Sequence, residues 1–75
     1  MGNETVKRYR FKKLVLEIVG CWDKDTPEGK YDFYDLYLVE CKTTFCLNEG
    51  DPFYELPSRK EVLSYYKNWK KSWKM

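Results

Sequence analysis

The C-terminal segment constrains the fold most, because it combines a helix start signal with a single apolar stripe. Ser58 and Glu61 occupy the N-cap and N3 positions of a capping box, in which each side chain bonds a backbone N–H of the other residue. At about 100° per residue, the apolar side chains that follow fall on one side of a helix. These side chains are Val62, Tyr65, Tyr66, Trp69 and Trp73. The pattern predicts one amphipathic helix over residues 58–74, packed on another layer through this stripe.

The residues before the helix favour short β-strands separated by turns. β-Branched and aromatic residues are dense between Val6 and Trp22, and the apolar positions change parity at Lys12-Lys13, which predicts a bulge or sharp bend there. Further strands are predicted over residues 31–42, 43–47 and 53–56. The second of these is either a separate strand or a continuation, and the third is a short edge strand. Residues 1–5 are predicted to be a frayed, flexible start, so that strands and turns occupy residues 6–56.

Apolar side chains occur on both faces of the strand predicted over residues 31–42. One face carries Tyr34, Leu36 and Leu38, and the other carries Tyr31, Phe33, Tyr37, Val39 and Cys41. This distribution is typical of a central strand that is covered on one side and lined with aromatic rings on the other. The chain is therefore predicted to be a single small α+β domain over residues 1–75. Its architecture would be an antiparallel β-meander of three or four strands with one C-terminal amphipathic helix packed on the sheet.

Composition argues against most catalytic and metal chemistry. The 75 residues contain no histidine, which removes the commonest general base and the usual metal ligand. Carboxylate pairs such as Asp23 with Asp25, or Asp32 with Asp35, lack the sequence signature of a paired-carboxylate site. The cysteines lack metal-ligand spacing and are predicted to be buried free thiols. We therefore expect no enzyme, no cofactor and no metal site.

Targeting features favour the cytoplasm. The first residues lack the apolar stretch of a signal peptide, and the apolar run from Leu14 to Trp22 is interrupted by Glu17 and too short to span a bilayer. An odd number of cysteines, at positions 21, 41 and 46, is also typical of a reducing compartment. The chain is predicted to be cytoplasmic, and membrane binding is not favoured.

Charge is segregated along the chain, although the formal net charge is only +2. Residues 1–13 hold five basic residues and one acidic residue, residues 14–58 hold three and ten, and residues 59–75 hold six and one. One interpretation is a solvated surface, since exposed ion pairs contribute only about 0–1 kcal/mol each. The other interpretation is a dipolar molecule in which one charged surface meets a partner.

Binding to another protein is the function that these features favour. Aromatic residues make up 19% of the chain, and Trp, Tyr and Arg are enriched at interface hot spots. The acidic turn and exposed rings of the second predicted strand would meet a basic surface, such as that of a nucleic-acid-handling protein. The candidate partner-binding residues are Asp23, Asp25, Glu28, Tyr31, Asp32, Tyr34, Asp35 and Tyr37. A homodimer formed through an edge strand is a further hypothesis.

In size and general appearance the chain resembles the short accessory and inhibitor proteins of phages and mobile elements. The likeness is one of type that extends over the whole chain, and no motif carries it. It implies a small regulatory or inhibitor module that acts by covering the surface of its partner.

The alternative function is nucleic-acid binding through a basic face. Lysines of the predicted helix would neutralise phosphates, and tyrosine or tryptophan rings would stack on unpaired bases. The same rings lie on the stripe predicted to be buried, and the same lysines are typical of a solvated helix face, so both interpretations stay open. The residues that would carry this function are Arg8, Arg10, Lys67, Lys70, Lys71 and Lys74.

Overall fold

Four antiparallel strands in sequence order form one sheet, and a single helix follows them. The computed structural model describes residues 2–12, 14–40 and 43–73. Its elements are β1 (Gly2–Phe11), β2 (Leu14–Trp22), β3 (Phe33–Val39), β4 (Thr44–Cys46) and α1 (Arg59–Trp73). The strands lie in the order β1-β2-β3-β4, and all neighbours are antiparallel. The predicted α+β meander with a C-terminal helix on the sheet is confirmed.

The parity change at Lys12-Lys13 marks a hairpin. Phe11 pairs directly with Leu14, so the chain reverses direction between these two residues, and Lys12 lies in the turn between β1 and β2. Lys12 has a φ of 53°, the left-handed conformation that tight hairpin turns require. The expectation of a bulge or bend within one continuous strand was therefore wrong. The antiparallel pairing places Phe11 and Leu14 side by side on one face although their sequence parities differ.

The bulge in the sheet lies at Val6 instead. Thr5 pairs with Val19 and Lys7 pairs with Ile18, so Val6 has no partner in the register. Because of this extra residue, the side chains that share one face of the sheet are even-numbered before Val6 and odd-numbered after it. The residues before it also pair with β2, and β1 begins at Gly2. Strand structure therefore replaces the frayed start that was predicted for residues 1–5.

The hydrophobic core lies on one face of the sheet, which we call the inner face. Leu16 and Ile18 of β2 and Leu36 and Leu38 of β3 project from this face and are almost completely buried. Their cross-strand pairs, Leu16 with Leu38 and Ile18 with Leu36, place them in one contiguous cluster. Val62 of α1 is fully buried against the same cluster. The opposite side of the sheet is called the outer face.

The helix forms as its sequence predicts. Ser58 Oγ accepts a hydrogen bond from the Glu61 N–H at 3.2 Å, and a Glu61 carboxylate oxygen accepts one from the Ser58 N–H at 3.3 Å. This reciprocal pair is the predicted capping box. Within the stripe, Val62 is buried, and Tyr65, Tyr66 and Trp69 pack against the core. The side chain of Trp73 and all of Lys74 lie outside the described part of the chain.

The strands predicted after the acidic stretch are longer than the strands that form. The strand predicted over residues 31–42 is β3, which begins at Phe33 and ends at Val39, and its predicted positions Cys41 and Lys42 lie outside the described residues. The edge strand predicted over residues 53–56 is reduced to one isolated bridge between Phe53 and Tyr34. Thr44–Cys46 forms a separate strand, which decides between the two alternatives left open for residues 43–47.

Asn48 is a buried amide that fixes the chain after β4. Its side-chain oxygen accepts the Leu36 N–H at 2.9 Å, and its NH₂ donates to the carbonyls of Tyr34 and Asp51, each at 3.2 Å. The side chain is only 3% exposed. It satisfies backbone groups of β3 where the short β4 has ended, and so holds the following turn against the sheet.

Candidate functional site

The outer face of the sheet carries a row of apolar side chains. Val15 and Val19 of β2 and Phe33 and Val39 of β3 alternate with the buried core positions and therefore project from the other side. All four are half-buried. Within the described residues, α1 packs on the inner face alone, so these side chains are shielded mainly by one another. The outer face thus offers an apolar surface of moderate exposure.

Asp35 lies between Phe33 and Tyr37 among the outer-face positions of β3. It pairs with Val19 across the strands and is half-buried. The Cys21 thiol donates a hydrogen bond to it, with Sγ 3.8 Å from Asp35 Oδ2. In the described part of the chain the only ion pair is formed by Arg8 and Glu17, at 2.5 Å. Asp35 is therefore a half-buried carboxylate with no cation of its own chain paired to it among the described residues.

The thiols and the phenol near Asp35 are neutral at physiological pH. Burial, reinforced by the Asp35 carboxylate, raises the pKa of the Cys21 thiol. Burial also raises the pKa of Cys46, although a hydrogen bond with the Asn48 backbone opposes this shift. The pKa of Tyr37 is raised by burial and then by Asp35. The thiols stay protonated and weakly nucleophilic, and none of these groups offsets the negative charge of the carboxylate.

An acidic loop joins β2 to β3 at one end of the sheet. Turn bonds order it: the Thr26 N–H donates to the Asp23 carbonyl and the Lys30 N–H to the Pro27 carbonyl, both at 3.1 Å. Gly29 supplies the positive φ of 80° that the second turn requires. Four carboxylates of this loop are exposed, namely Asp23, Asp25, Glu28 and Asp32. We call residues 23–32 the acidic loop.

Two clefts flank Trp22 where the acidic loop meets the sheet. The first, of about 380 Å³, is lined by half-buried Cys21, Trp22 and Phe33 together with exposed Asp23 and Asp32. It continues the outer face, because Cys21 and Phe33 are paired residues of that face. The second, of about 470 Å³, lies between Glu4, Trp22, Tyr31 and the turn residues of the loop. The first cleft combines an apolar lining with two carboxylates, which suits the alkyl stem and charged head of an arginine or lysine.

The structure divides the predicted partner-binding residues into three groups. Asp23, Asp25, Glu28 and Asp32 lie in the acidic loop, while Asp35 and Tyr37 lie on the outer face beside it. Tyr31 and Tyr34 lie on the inner side, where their ring centroids are 5.6 Å apart. Tyr31, Tyr34 and Tyr37 are all half-buried, so none of them is the exposed ring that was expected, and only Tyr37 projects from the outer face.

The Tyr31 ring does not lie on the side of the sheet that was predicted, because β3 starts two residues after Tyr31. The alternation of faces does not extend back through the loop, and the Tyr31 ring turns over Gly20 instead. Its hydroxyl donates a hydrogen bond to Glu4 of β1. Sequence reasoning also overlooked Phe33 as a site residue. Its shared parity with Asp35 and Tyr37 was the available signal.

The residues of the nucleic-acid alternative do not share one face. Arg8 and Arg10 pair with Glu17 and Val15 and therefore project on the outer face, with Arg8 bound to Glu17. The helix that carries the exposed residues Lys67, Lys70 and Lys71 packs on the inner face. Lys74 lies outside the described residues.

Comparison with family models, with curated proteins and with solved structures finds no match to this chain. Among residues 2–12, 14–40 and 43–73, no cluster of three or more cysteine, aspartate or glutamate side chains is arranged to hold a metal ion. None of the helices described has the length and apolar character needed to cross a membrane. The candidate site therefore rests on its own geometry.

Proposed function

We propose that the chain is a non-enzymatic protein-binding module whose outer face and acidic loop receive a basic surface of a partner protein. The observation that carries the proposal is Asp35, a half-buried carboxylate without a paired cation among the described residues, set in an apolar row. A carboxylate beside apolar side chains offers an electrostatic contact to a cation on a complementary surface. A lysine or arginine of a partner would supply the missing charge while apolar neighbours exclude water.

The apolar row supports the same kind of partner. Val15, Val19, Phe33 and Val39 are half-buried in the free chain, and a covering surface would remove their remaining area from water. Burial of apolar area contributes roughly 25 cal/mol per Å². The partner surface would therefore alternate basic and apolar side chains, as an extended strand or a helix face does. The acidic loop would steer its approach, since complementary charge mainly raises association rates.

A second copy of the chain fits this site less well than a different protein. The long edge of the sheet is β1, which carries Lys7, Arg8 and Arg10. Pairing two copies along this edge would bring the same positive charges together, and such charges are a common protection against edge association. The other edge strand, β4, has only three residues. We therefore favour a regulatory or inhibitor module of the accessory type that covers another protein.

The proposal is tested by NMR titration of the ¹⁵N-labelled chain with an acetylated peptide of alternating arginine and valine. A peptide of alternating glutamate and valine is the matched probe. We expect the arginine peptide to shift the amide signals of Cys21, Phe33, Asp35, Tyr37 and the acidic loop. Shifts confined to α1, or equal responses to the two peptides, would contradict the proposal.

Charge-reversed variants test whether the carboxylates of the first cleft contribute to binding of the arginine peptide. Asp23→Lys combined with Asp32→Lys alters the first cleft, whereas Glu49→Lys combined with Glu55→Lys makes the same change in net charge at exposed positions outside it. We expect the first variant to weaken binding of the arginine peptide about tenfold or more, and the second to change it less than about threefold. Equal losses would show that only the overall charge matters.

A further inference from the structure

A second surface combines exposed cations with half-buried aromatic rings where β1 meets the helix. Three residues of β1 contribute to it, and three of α1 lie on one flank of that helix at positions i, i+7 and i+11. We call it the aromatic–basic seam, and it consists of Lys7, Tyr9, Phe11, Arg59, Tyr66 and Lys70. The Arg59 guanidinium lies 4.6 Å from the centre of the Phe11 ring, which joins the two elements.

Each ring of the seam carries a cation near its face. Lys7 Nζ lies 5.4 Å from the Tyr9 centroid, and Lys70 Nζ lies 5.9 Å from the Tyr66 centroid. The three cationic side chains are exposed and the three rings are half-buried. One side of each ring therefore packs on the core while the cation occupies the side toward solvent. The seam therefore contains three cation–π contacts, each with a positive charge beside the face of one ring.

The rings also lie in two stacked pairs. Tyr9 and Phe11 have centroids 6.2 Å apart and planes inclined by 25°. Tyr66 and Trp69 have centroids 6.3 Å apart and planes inclined by 29°. Near-parallel rings held by the core present flat surfaces of fixed orientation, to which a planar group can be added by stacking.

The charge of both elements is positive. The one acidic residue of β1, Glu4, accepts a hydrogen bond from Tyr31, and the one acidic residue of α1, Glu61, belongs to the capping box. Neither carboxylate forms an ion pair with a seam cation among the described residues. The charges of Lys7, Arg59 and Lys70 are thus available to an anion.

We infer that the aromatic–basic seam binds single-stranded nucleic acid. Unpaired bases would stack on the Tyr9, Phe11 and Tyr66 rings, and the displaced cations would move onto the adjacent phosphates. Each cation would exchange its contact with a ring for a contact with a phosphate, and each ring would gain a stacked base. Neither the sheet nor the helix would need to change. In a duplex the faces of the bases are already stacked on one another, so only the phosphates could contact the seam. The seam lies on the helix side of the sheet and is independent of the protein-binding proposal for the outer face.

The test is fluorescence anisotropy of a labelled oligothymidylate of about 15 nucleotides, titrated with the full chain at low and moderate salt. We expect binding that weakens with salt, since phosphate contacts release counterions. An oligomer of the same length and charge with abasic sugars separates stacking from charge. Stacking predicts that the abasic oligomer binds about tenfold more weakly or worse, and equal affinity for the two oligomers would overturn the inference.

Two triple variants with the same change in charge locate the site. Lys7→Gln, Arg59→Gln and Lys70→Gln neutralise the seam, whereas Arg10→Gln, Lys24→Gln and Lys30→Gln neutralise exposed cations of the outer face and acidic loop. We expect the seam variant to raise Kd about tenfold or more and to reduce the salt slope by about 2, and the matched variant to change Kd less than about threefold. Circular dichroism checks that both are folded.

Several results would overturn the inference. Equal losses in the two triple variants would show diffuse attraction without a site. Absence of oligothymidylate binding at low salt would exclude the function. Binding to phosphatidylserine vesicles with no binding to the oligomer would assign the seam to anionic membrane surfaces instead.

Discussion

The ring of Tyr31 lies directly on the backbone of Gly20. A β-carbon built at Gly20 would stand 2.5 Å from Cδ1 of the tyrosine, closer than any real contact allows. The close approach holds the start of the strand that follows the acidic loop against β2, and Trp22 lies 6.0 Å from Tyr31 between ring centroids. Gly20 and Tyr31 thus position the end of the sheet at which both clefts are found.

Gly20→Ala is expected to destabilise the fold by about 1–3 kcal/mol, because the added methyl group displaces the Tyr31 ring. The change is measured by urea unfolding of the two proteins. A Tyr31→Ala background removes the three ring atoms nearest to the added methyl group, and the same substitution should then be neutral or stabilising by about 0.5–1 kcal/mol. An equal loss in both backgrounds would show that the ring is not the cause.

Asn48→Ala is expected to cost about 3 kcal/mol, because it removes the partner of the Leu36 N–H and of the Asp51 carbonyl and leaves the Tyr34 carbonyl with the Phe53 N–H alone. Asn48→Asp should cost as much or more, since a carboxylate cannot donate to the two carbonyls. Urea unfolding measures both. Asn68→Ala, at an exposed helix position, is the control and should stay within about 0.5 kcal/mol of the parent.

Stability is expected to fall in alkaline solution through Tyr65. Its hydroxyl donates to Asp51 Oδ2 at 2.6 Å, and this hydrogen bond, followed by burial and the Asp51 charge, raises the pKa of Tyr65 above its ordinary value of 10.0. The stabilisation is complete below pH about 10 and is lost as the pH rises through the raised pKa.

The alkaline loss is measured as the fall in unfolding free energy between pH about 8 and pH about 11. Tyr65→Phe should show a smaller fall than the parent, because the hydrogen bond is already absent at both pH values. The other groups with raised pKa values, namely Cys21, Tyr31, Tyr37 and Cys46, account for the part that remains. Tyr54→Phe removes a phenol that is 75% exposed and should match the parent. A Tyr65→Phe protein that declines as steeply as the parent would contradict this role.

Trp69→Ala tests the packing of α1 on the sheet. The Trp69 ring lies 5.6 Å from Phe45 of β4 between centroids and packs against the core. We expect the truncation to cost about 3–5 kcal/mol, at the lower end because the side chain is half-buried. The exposed neighbour Lys67→Ala is the control. A Trp69→Ala protein with an unchanged melting temperature would mean that the helix does not depend on this contact.

The sequence predicts those features of the fold that depend on local chemistry. Ser58 and Glu61 are three residues apart, and the capping box they form needs no distant partner. The parity change at Lys12-Lys13 correctly indicates that the chain cannot continue as one regular strand. Parity alone does not distinguish a bulge from a reversal, because that choice depends on pairing Phe11 with Leu14.

The candidate site is less predictable than the fold, because the register of strand pairing decides which residues lie together in it. Sequence identifies the acidic loop from its turn residues, and it selects Asp35 and Tyr37 by charge and ring type. The side on which Tyr31 lies depends on the bare surface of Gly20 and on Glu4, which is 27 residues away. Asp35 has no paired cation among the described residues because its cross-strand partner is Val19 and because Arg8 is bound to Glu17. These relations exist only after the strands have assembled.

The most direct test of the protein-binding account is the affinity of the alternating arginine–valine peptide for the parent and for Asp35→Asn, measured by isothermal titration calorimetry. Asparagine keeps the size of the side chain and removes its charge, so the apolar row and the acidic loop remain in place. The account predicts binding about tenfold or more weaker for Asp35→Asn, because a half-buried carboxylate no longer meets the peptide cation. Equal affinity for the two proteins would contradict it.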